Sequence, residues 1–65
     1  MTFKLFSMIN KAFEEYNEVH LMDDEGAGLI ATYDENTDID DIDLGMKMFP
    51  HASLYVFNGD SYEKL

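Results

Sequence analysis

The chain has 65 residues, of which 46% are hydrophobic, with no cysteine and a formal net charge of −10 at pH 7. Its length allows one domain at most, its hydrophobic content argues against disorder, and its lack of cysteine excludes disulfides and fits a reducing cytosol. The charge argues against direct binding to nucleic acid or to an anionic membrane, and it predicts a basic protein partner.

The N-terminal segment, residues 3–17, predicts an amphipathic helix. Apolar side chains recur at steps of three or four residues from Phe6 to Tyr16, which is the spacing of one helical face. Thr2 stands immediately before this stripe and is the predicted N-cap.

Residues 18–24 and 28–34 predict a β-hairpin. The stretch "EVHLM" alternates, with Val19 and Leu21 on one side and His20 and Met22 on the other. The stretch "DDEGAG" between the two segments supplies a turn, in which both glycines are expected to be able to take positive φ.

Residues 38–48 predict a second helix, capped by Thr37 or Asp38 and followed by the helix stop Pro50. Gly45 lies inside it and predicts a short or irregular helix. Residues 52–58 predict a strand, and "YEKL" a tail or a short edge strand.

The predicted order α-β-β-α-β indicates a small α+β domain, in which an antiparallel sheet of about three strands has both helices on one face. Both sides of the last long strand are apolar. We therefore expect the face away from the helices to meet solvent or a second subunit, and a homodimer is predicted.

Acidic residues are concentrated in the middle of the chain. Twelve of the fourteen lie between Lys11 and Lys47, where no basic residue occurs. Solubility alone would favour interspersed lysines. Helix capping accounts for Asp38 and its neighbours, but not for the whole set, and a solvated acidic surface remains the alternative.

The densest stretch resembles a calcium loop only in part. Oxygen-bearing side chains occupy the first, third, fifth and seventh positions of an EF-hand loop: Asp34, Asn36, Asp38 and Asp40. However, Ile39 stands where the loop needs Gly, and Gly45 where it needs Glu, so no metal or other cofactor is predicted. His20 and His51 stand alone without a nucleophile motif. No catalytic residue is predicted, and we expect the protein not to be an enzyme.

Closely spaced carboxylates can also imitate the phosphates of a nucleic acid, since duplex DNA carries about one charge per 1.7 Å of axis. On this interpretation the chain blocks the basic nucleic-acid site of another protein. The residues predicted to imitate phosphates are Asp34, Glu35, Asp38, Asp40, Asp41 and Asp43, supported by Asp23, Asp24 and Glu25. The predicted apolar anchor or dimer face consists of Tyr33, Tyr55 and Phe57.

The stretches "ATYDENTD" and "LYVFNGDS", within residues 30–61, resemble part of the small acidic phage inhibitors of uracil-DNA glycosylase. The resemblance implies a DNA mimic with acidic side chains on an edge strand, for which residues 18–21 are the candidate, and an apolar pocket for a leucine of the enzyme. "LMDDEG" is similar in character to a second phage inhibitor type that is small, dimeric and acidic. Both imply the cytoplasm of an infected or host bacterial cell.

The predicted function is therefore inhibition of a host protein by DNA mimicry. The candidate targets are a DNA-repair glycosylase, a restriction or CRISPR nuclease, a nucleoid protein and RNA polymerase. The alternative is an interaction module or small subunit whose acidity only keeps it soluble.

Overall fold

The computed structural model describes residues 1–26 and 28–65; Ala27, in the predicted hairpin turn, lies outside the described residues. The elements in chain order are α1 (Phe3–Glu15), β1 (Glu18–Asp23), β2 (Leu29–Asp34), α2 (Ile39–Met48), β3 (Ala52–Phe57) and β4 (Tyr62–Lys64). The α+β prediction is confirmed. The described residues form a sheet of four strands rather than about three, because the "YEKL" segment adds β4.

Helix α1 begins as its cap predicts. The Thr2 hydroxyl accepts a hydrogen bond from the Leu5 N–H at 3.1 Å, which satisfies one of the free donors of the first turn. The helix ends at Glu15, two residues earlier than predicted, because Tyr16 is already extended with φ −129° and ψ 149°.

Helix α2 is capped by Asp38, whose carboxylate accepts a hydrogen bond from the Asp40 N–H at 3.0 Å. Thr37, the other candidate cap, instead accepts a bond from the Asp34 N–H. The helix runs regularly through Gly45, contrary to the expectation of irregularity. A Cβ at Gly45 would overlap the Tyr33 hydroxyl, so glycine lets α2 lie close to β2.

The sheet has the order β2-β1-β3-β4, and every neighbouring pair is antiparallel. Both helices cover one face of it, as predicted. The core joins apolar side chains from α1, α2, β1 and β3: Ile9, Ala12, Ile42, Val19, Leu21, Leu54 and Val56. Positive φ occurs at Gly59 (φ 104°) in the β3–β4 turn. Gly26, one of the two glycines expected to be able to take it, does not use it.

The other side of the sheet is called the open face here. Directly opposite residues of antiparallel strands share a face, so cross-strand pairs define its rows. The Asp34–Glu18 pair lies in one row with the Phe57–Tyr62 pair, and the next row has the order Thr32, His20, Tyr55 and Lys64. The predicted placement of Tyr55 and Phe57 opposite Leu54 and Val56 is confirmed, while the homodimer stays a prediction. Within the described residues, no helix has the length and hydropathy needed to cross a membrane.

Candidate interaction surface

Carboxylates lie close together at the end of the sheet where β1 begins and β2 ends. Glu18 is directly opposite Asp34 in the register of these strands. Helix α1 ends just before β1, and α2 begins just after β2. The acidic end is defined as the eight carboxylates that this topology assembles: Glu14, Glu15, Glu18, Asp34, Glu35, Asp38, Asp40 and Asp41.

Two carboxylates of the acidic end hold the backbone in place. Asp34 accepts hydrogen bonds from the Asn36 N–H at 2.9 Å and from the Thr37 hydroxyl at 3.3 Å, and Asp38 caps α2. Within residues 1–26 and 28–65, the other six side chains take part in no side-chain hydrogen bond or ion pair. The backbone bonds explain Asp34 and Asp38 structurally, and the first turn of α2 favours Asp40 and Asp41; Glu14, Glu15, Glu18 and Glu35 have neither kind of support.

The charges of α1 oppose its helix dipole. Lys4 lies in the first turn, where the dipole favours anions, and Glu14 and Glu15 lie in the last turn, where it favours cations. Helix stability therefore does not account for glutamates at this position, in contrast to Asp40 and Asp41 in the first turn of α2.

The second predicted cluster, Asp23, Asp24 and Glu25, lies at the opposite end of β1 and is called the hairpin tip here. A rise of about 3.3 Å per residue puts Asp23 about 17 Å from Glu18 along the strand. The nine predicted phosphate mimics are therefore not one cluster, because the tip is separated from the acidic end by the length of the sheet.

At the hairpin tip, Asp24 is bound within the fold. Its carboxylate accepts hydrogen bonds from the Tyr55 hydroxyl at 2.7 Å and the Ser53 hydroxyl at 2.8 Å, and Lys64 Nζ lies 3.5 Å away. These bonds hold the pKa of Asp24 below its usual value, with the Tyr55 bond contributing most. The same bond raises the pKa of Tyr55.

Asp43 also has partners within the chain. Its carboxylate lies 3.0 Å from Lys47 Nζ and 3.6 Å from the N-terminal amine, and the Lys47 contact lowers its pKa. Of the predicted set, the structure brings together Asp34, Glu35, Asp38, Asp40 and Asp41. It adds three glutamates outside that set, Glu14, Glu15 and Glu18.

The predicted apolar residues do not form one face. Tyr55 and Phe57 lie on the open face, where the Phe57 and Tyr62 rings meet edge-on with centroids 5.1 Å apart. Tyr33 lies on the helix side of the sheet with its hydroxyl beside Gly45, and burial, together with the Asp41 charge, raises its pKa. It can therefore not share an anchor surface with Tyr55 and Phe57. Tyr62 also belongs to this surface, which the sequence does not reveal because the short β4 has no alternating pattern of its own.

A surface cavity of about 290 Å³ lies between the end of α1 and the open face. Its walls are Glu15, Tyr16, Asn17, Glu18, His20 and Phe57. The His20 side chain is only 8% exposed, its Nδ1 lies 3.0 Å from the Thr32 hydroxyl, and its ring meets Tyr62 edge-on at 5.3 Å. The cavity therefore joins the acidic end to the aromatic part of the open face.

Two of the four residues that match EF-hand positions, Asp34 and Asp38, accept hydrogen bonds from backbone N–H groups. In the described part of the chain, no three His, Cys, Asp or Glu side chains are grouped so that they could hold a metal ion. Comparison with family models, curated proteins and solved structures finds no match. The segment that the phage-inhibitor resemblance implies as an edge strand lies in β1, which is a central strand here.

Proposed function

We propose that this protein is an inhibitor that occupies the basic nucleic-acid site of a host protein by imitating a row of phosphates. The observation that carries the proposal is the acidic end, where carboxylates from two helices and two strands lie together. Among the described residues, none of them forms an ion pair with a lysine or with the N-terminus.

Uncompensated carboxylates have a physical use when the partner is basic. A negative surface of this kind accelerates encounter with a positive cleft. It also releases the anions held near that cleft, much as DNA binding releases counterions. The Asp34 and Asp38 bonds keep the β2–α2 turn ordered, so less conformational freedom is lost on binding.

Helix α1 supports the same proposal. Glu14 and Glu15 lie at the end of the helix that disfavours negative charge, next to other carboxylates that repel them. A sequence that served only stability would place these acids elsewhere, so their position favours an intermolecular role.

The class of target is inferred from the negative charge of the acidic end and not from the shape of a pocket. A DNA-repair glycosylase, a restriction or CRISPR nuclease, a nucleoid protein and a polymerase all offer a basic cleft of the required kind. A phage or other mobile element would use such an inhibitor in the bacterial cytoplasm.

A second candidate function is an adaptor or small subunit that binds through the open face. It is favoured by the adjoining rings of Phe57 (46% exposed) and Tyr62 (44% exposed) on that face, because contiguous apolar surface marks interaction sites. In that case the acidic end only keeps the protein soluble.

Pull-down from bacterial lysate distinguishes the two candidates. We expect the immobilised protein to retain a DNA-binding protein at about 100 mM salt and release it at about 500 mM, because phosphate-like contacts weaken steeply with salt. Duplex DNA should displace the same protein. Retention of a partner that duplex DNA cannot displace would contradict mimicry and support the adaptor.

Two matched double variants test which end of the protein contacts the target. Glu35→Gln with Asp40→Asn removes two charges from the acidic end, and among the described residues neither side chain forms a hydrogen bond or an ion pair. Asp23→Asn with Glu25→Gln removes two charges from the hairpin tip. The amide oxygen introduced by Asp23→Asn can still accept the bond that the Glu25 N–H donates to the carboxylate of Asp23.

We expect the acidic-end variant to weaken target binding about tenfold, since an exposed ion pair is worth up to about 1 kcal/mol and the variant removes two charges. The hairpin-tip variant should leave target binding nearly unchanged, because its charges lie at the other end of the sheet. Equal losses in the two variants would show that only the total charge matters.

A further inference from the structure

Two kinds of side chain line the cavity beside the acidic end. Its lining includes three rings, those of Tyr16, His20 and Phe57, and two carboxylates, those of Glu15 and Glu18. The faces of the Tyr16 and Phe57 rings attract cations through their quadrupole, and carboxylates attract them by charge, so both kinds of lining side chain favour the same class of ligand.

His20 adds a polar atom to this cavity. The side chain is more than nine-tenths buried, and its Nδ1 is occupied by the Thr32 hydroxyl. Among the described residues, Nε2 has no hydrogen-bond partner, although the ring lines the cavity. When Nδ1 carries the proton and donates it to Thr32, Nε2 is an acceptor available to a ligand that donates.

The size and shape of the site favour a planar cation. A cavity of about 290 Å³ has room for the end of one long side chain but not for a folded segment. Guanidinium is flat, stacks on aromatic rings, and donates several hydrogen bonds in a fixed fork. An ammonium group is compact and strongly hydrated, so it would use the rings less well.

We propose that this cavity binds the guanidinium group of an arginine side chain from the partner protein. The Tyr16 and Phe57 rings stack on its plane, while Glu15, Glu18 and His20 Nε2 accept its N–H groups. This inference rests on the proposed function, which supplies the basic nature of the partner. It adds the kind of partner side chain that extends beyond the acidic end onto the open face.

The test uses a probe that needs no knowledge of the target. The full ¹⁵N-labelled chain is titrated with N-acetyl-arginine amide at constant ionic strength, and with N-acetyl-citrulline amide, which has a similar shape without the charge. We expect saturable amide shifts confined to residues 15–20 and to Phe57 and Tyr62 with arginine, and none with citrulline. N-acetyl-lysine amide should bind several-fold more weakly.

Three variants locate the site. Phe57→Leu keeps an apolar side chain at a partly exposed position but removes the ring, and it should weaken arginine binding about threefold, the size of an exposed cation–π contact. Glu18→Gln should weaken it as well, whereas Glu25→Gln, with the same loss of charge at the hairpin tip, should not.

Several results would overturn the inference: shifts spread over all acidic residues, equal binding of citrulline, or equal effects of Glu18→Gln and Glu25→Gln. Backbone amide spectra of each variant verify that the fold is intact. If the arginine probe binds but no lysate protein is displaced by DNA, the cavity proposal stands and the inhibitor proposal fails. If DNA displaces a target but the probe does not bind, the reverse holds.

Discussion

The acidic end and the hairpin tip carry carboxylates at similar density along the sequence, but their surroundings differ. At the tip, Asp24 is held by two hydroxyl groups and lies near an ammonium group, all from β3 and β4. At the acidic end, the carboxylates that do form bonds use only backbone and side-chain donors within three residues. Asp24, with its distant partners, joins parts of the fold. Asp23 at the tip has only local partners, as Asp34 and Asp38 have, so Asp24 is the residue that distinguishes the two ends.

This difference shows why charge density is a poor guide to function by itself. Net charge is a property of the surface, and the fold decides which charges are neutralised. Substitutions that weaken the support of one end and leave the other unchanged should therefore have different effects on stability.

The largest effect on stability is expected from a change at the contact between α2 and β2, which supports the acidic end. Gly45→Ala would place a methyl group against the Tyr33 hydroxyl and should lower the free energy of unfolding by about 1–3 kcal/mol, as overpacking does, minus up to about 1 kcal/mol from better helix propensity. Urea unfolding measures the loss. Gly28→Ala is the control, because no atom lies within 4 Å of its added Cβ. Equal stability of the two variants would contradict the close α2–β2 contact.

A smaller effect is expected from the cap of α2. Asp38→Ala removes the acceptor of the Asp40 N–H and should cost about 1 kcal/mol. Asp38→Asn removes the charge but keeps the oxygen, so its unfolding midpoint should stay close to that of the parent. If the two variants lose the same stability, the charge at the helix N-terminus matters more than the hydrogen bond.

The smallest effect is expected from single charges and depends on pH. Because the folded-state pKa of Asp24 lies below its ordinary value of 3.8, its ionised form stabilises the fold above that pH. The contribution disappears as the pH falls through the lowered pKa. Asp24→Asn should therefore lower the thermal midpoint at pH 7, and its difference from the parent should shrink as the pH falls below 3.8.

Glu35→Gln is the matched change at the acidic end. It removes one charge without a partner, so repulsion falls and the midpoint at pH 7 should be unchanged or higher. A loss of stability equal to that of Asp24→Asn would erase the distinction between the two ends.

The sequence predicts most of this fold because its signals are local. The apolar stripe of α1, the alternation of β1 and the cap at Asp38 each act within a few residues, and each appears in the structure at about the predicted place. Strand β4 is ambiguous in the sequence because its formation depends on β3, through the Phe57–Tyr62 pair and the bond from the Leu65 N–H to the Leu54 carbonyl.

The site is harder to predict for the same reason. Asp24 meets Ser53 and Tyr55 across 29 and 31 residues, and no spacing rule reveals such pairs. Glu18 joins Asp34 only through the hairpin register. Tyr33 alternates correctly within its strand, but the face that its side chain occupies can be known only once the helices have been placed.

Strand β2 pairs with β1 and forms an edge of the sheet. Its residues from Leu29 to Tyr33 include no charge and no proline, the usual means by which proteins stop edge strands from joining those of other molecules. At neutral pH, copies that each carry a net charge of −10 repel one another at long range, and this repulsion keeps their β2 edges apart instead. Near the sequence pI of about 4.1 this repulsion vanishes, and we expect the protein to aggregate there through its β2 edges before it unfolds.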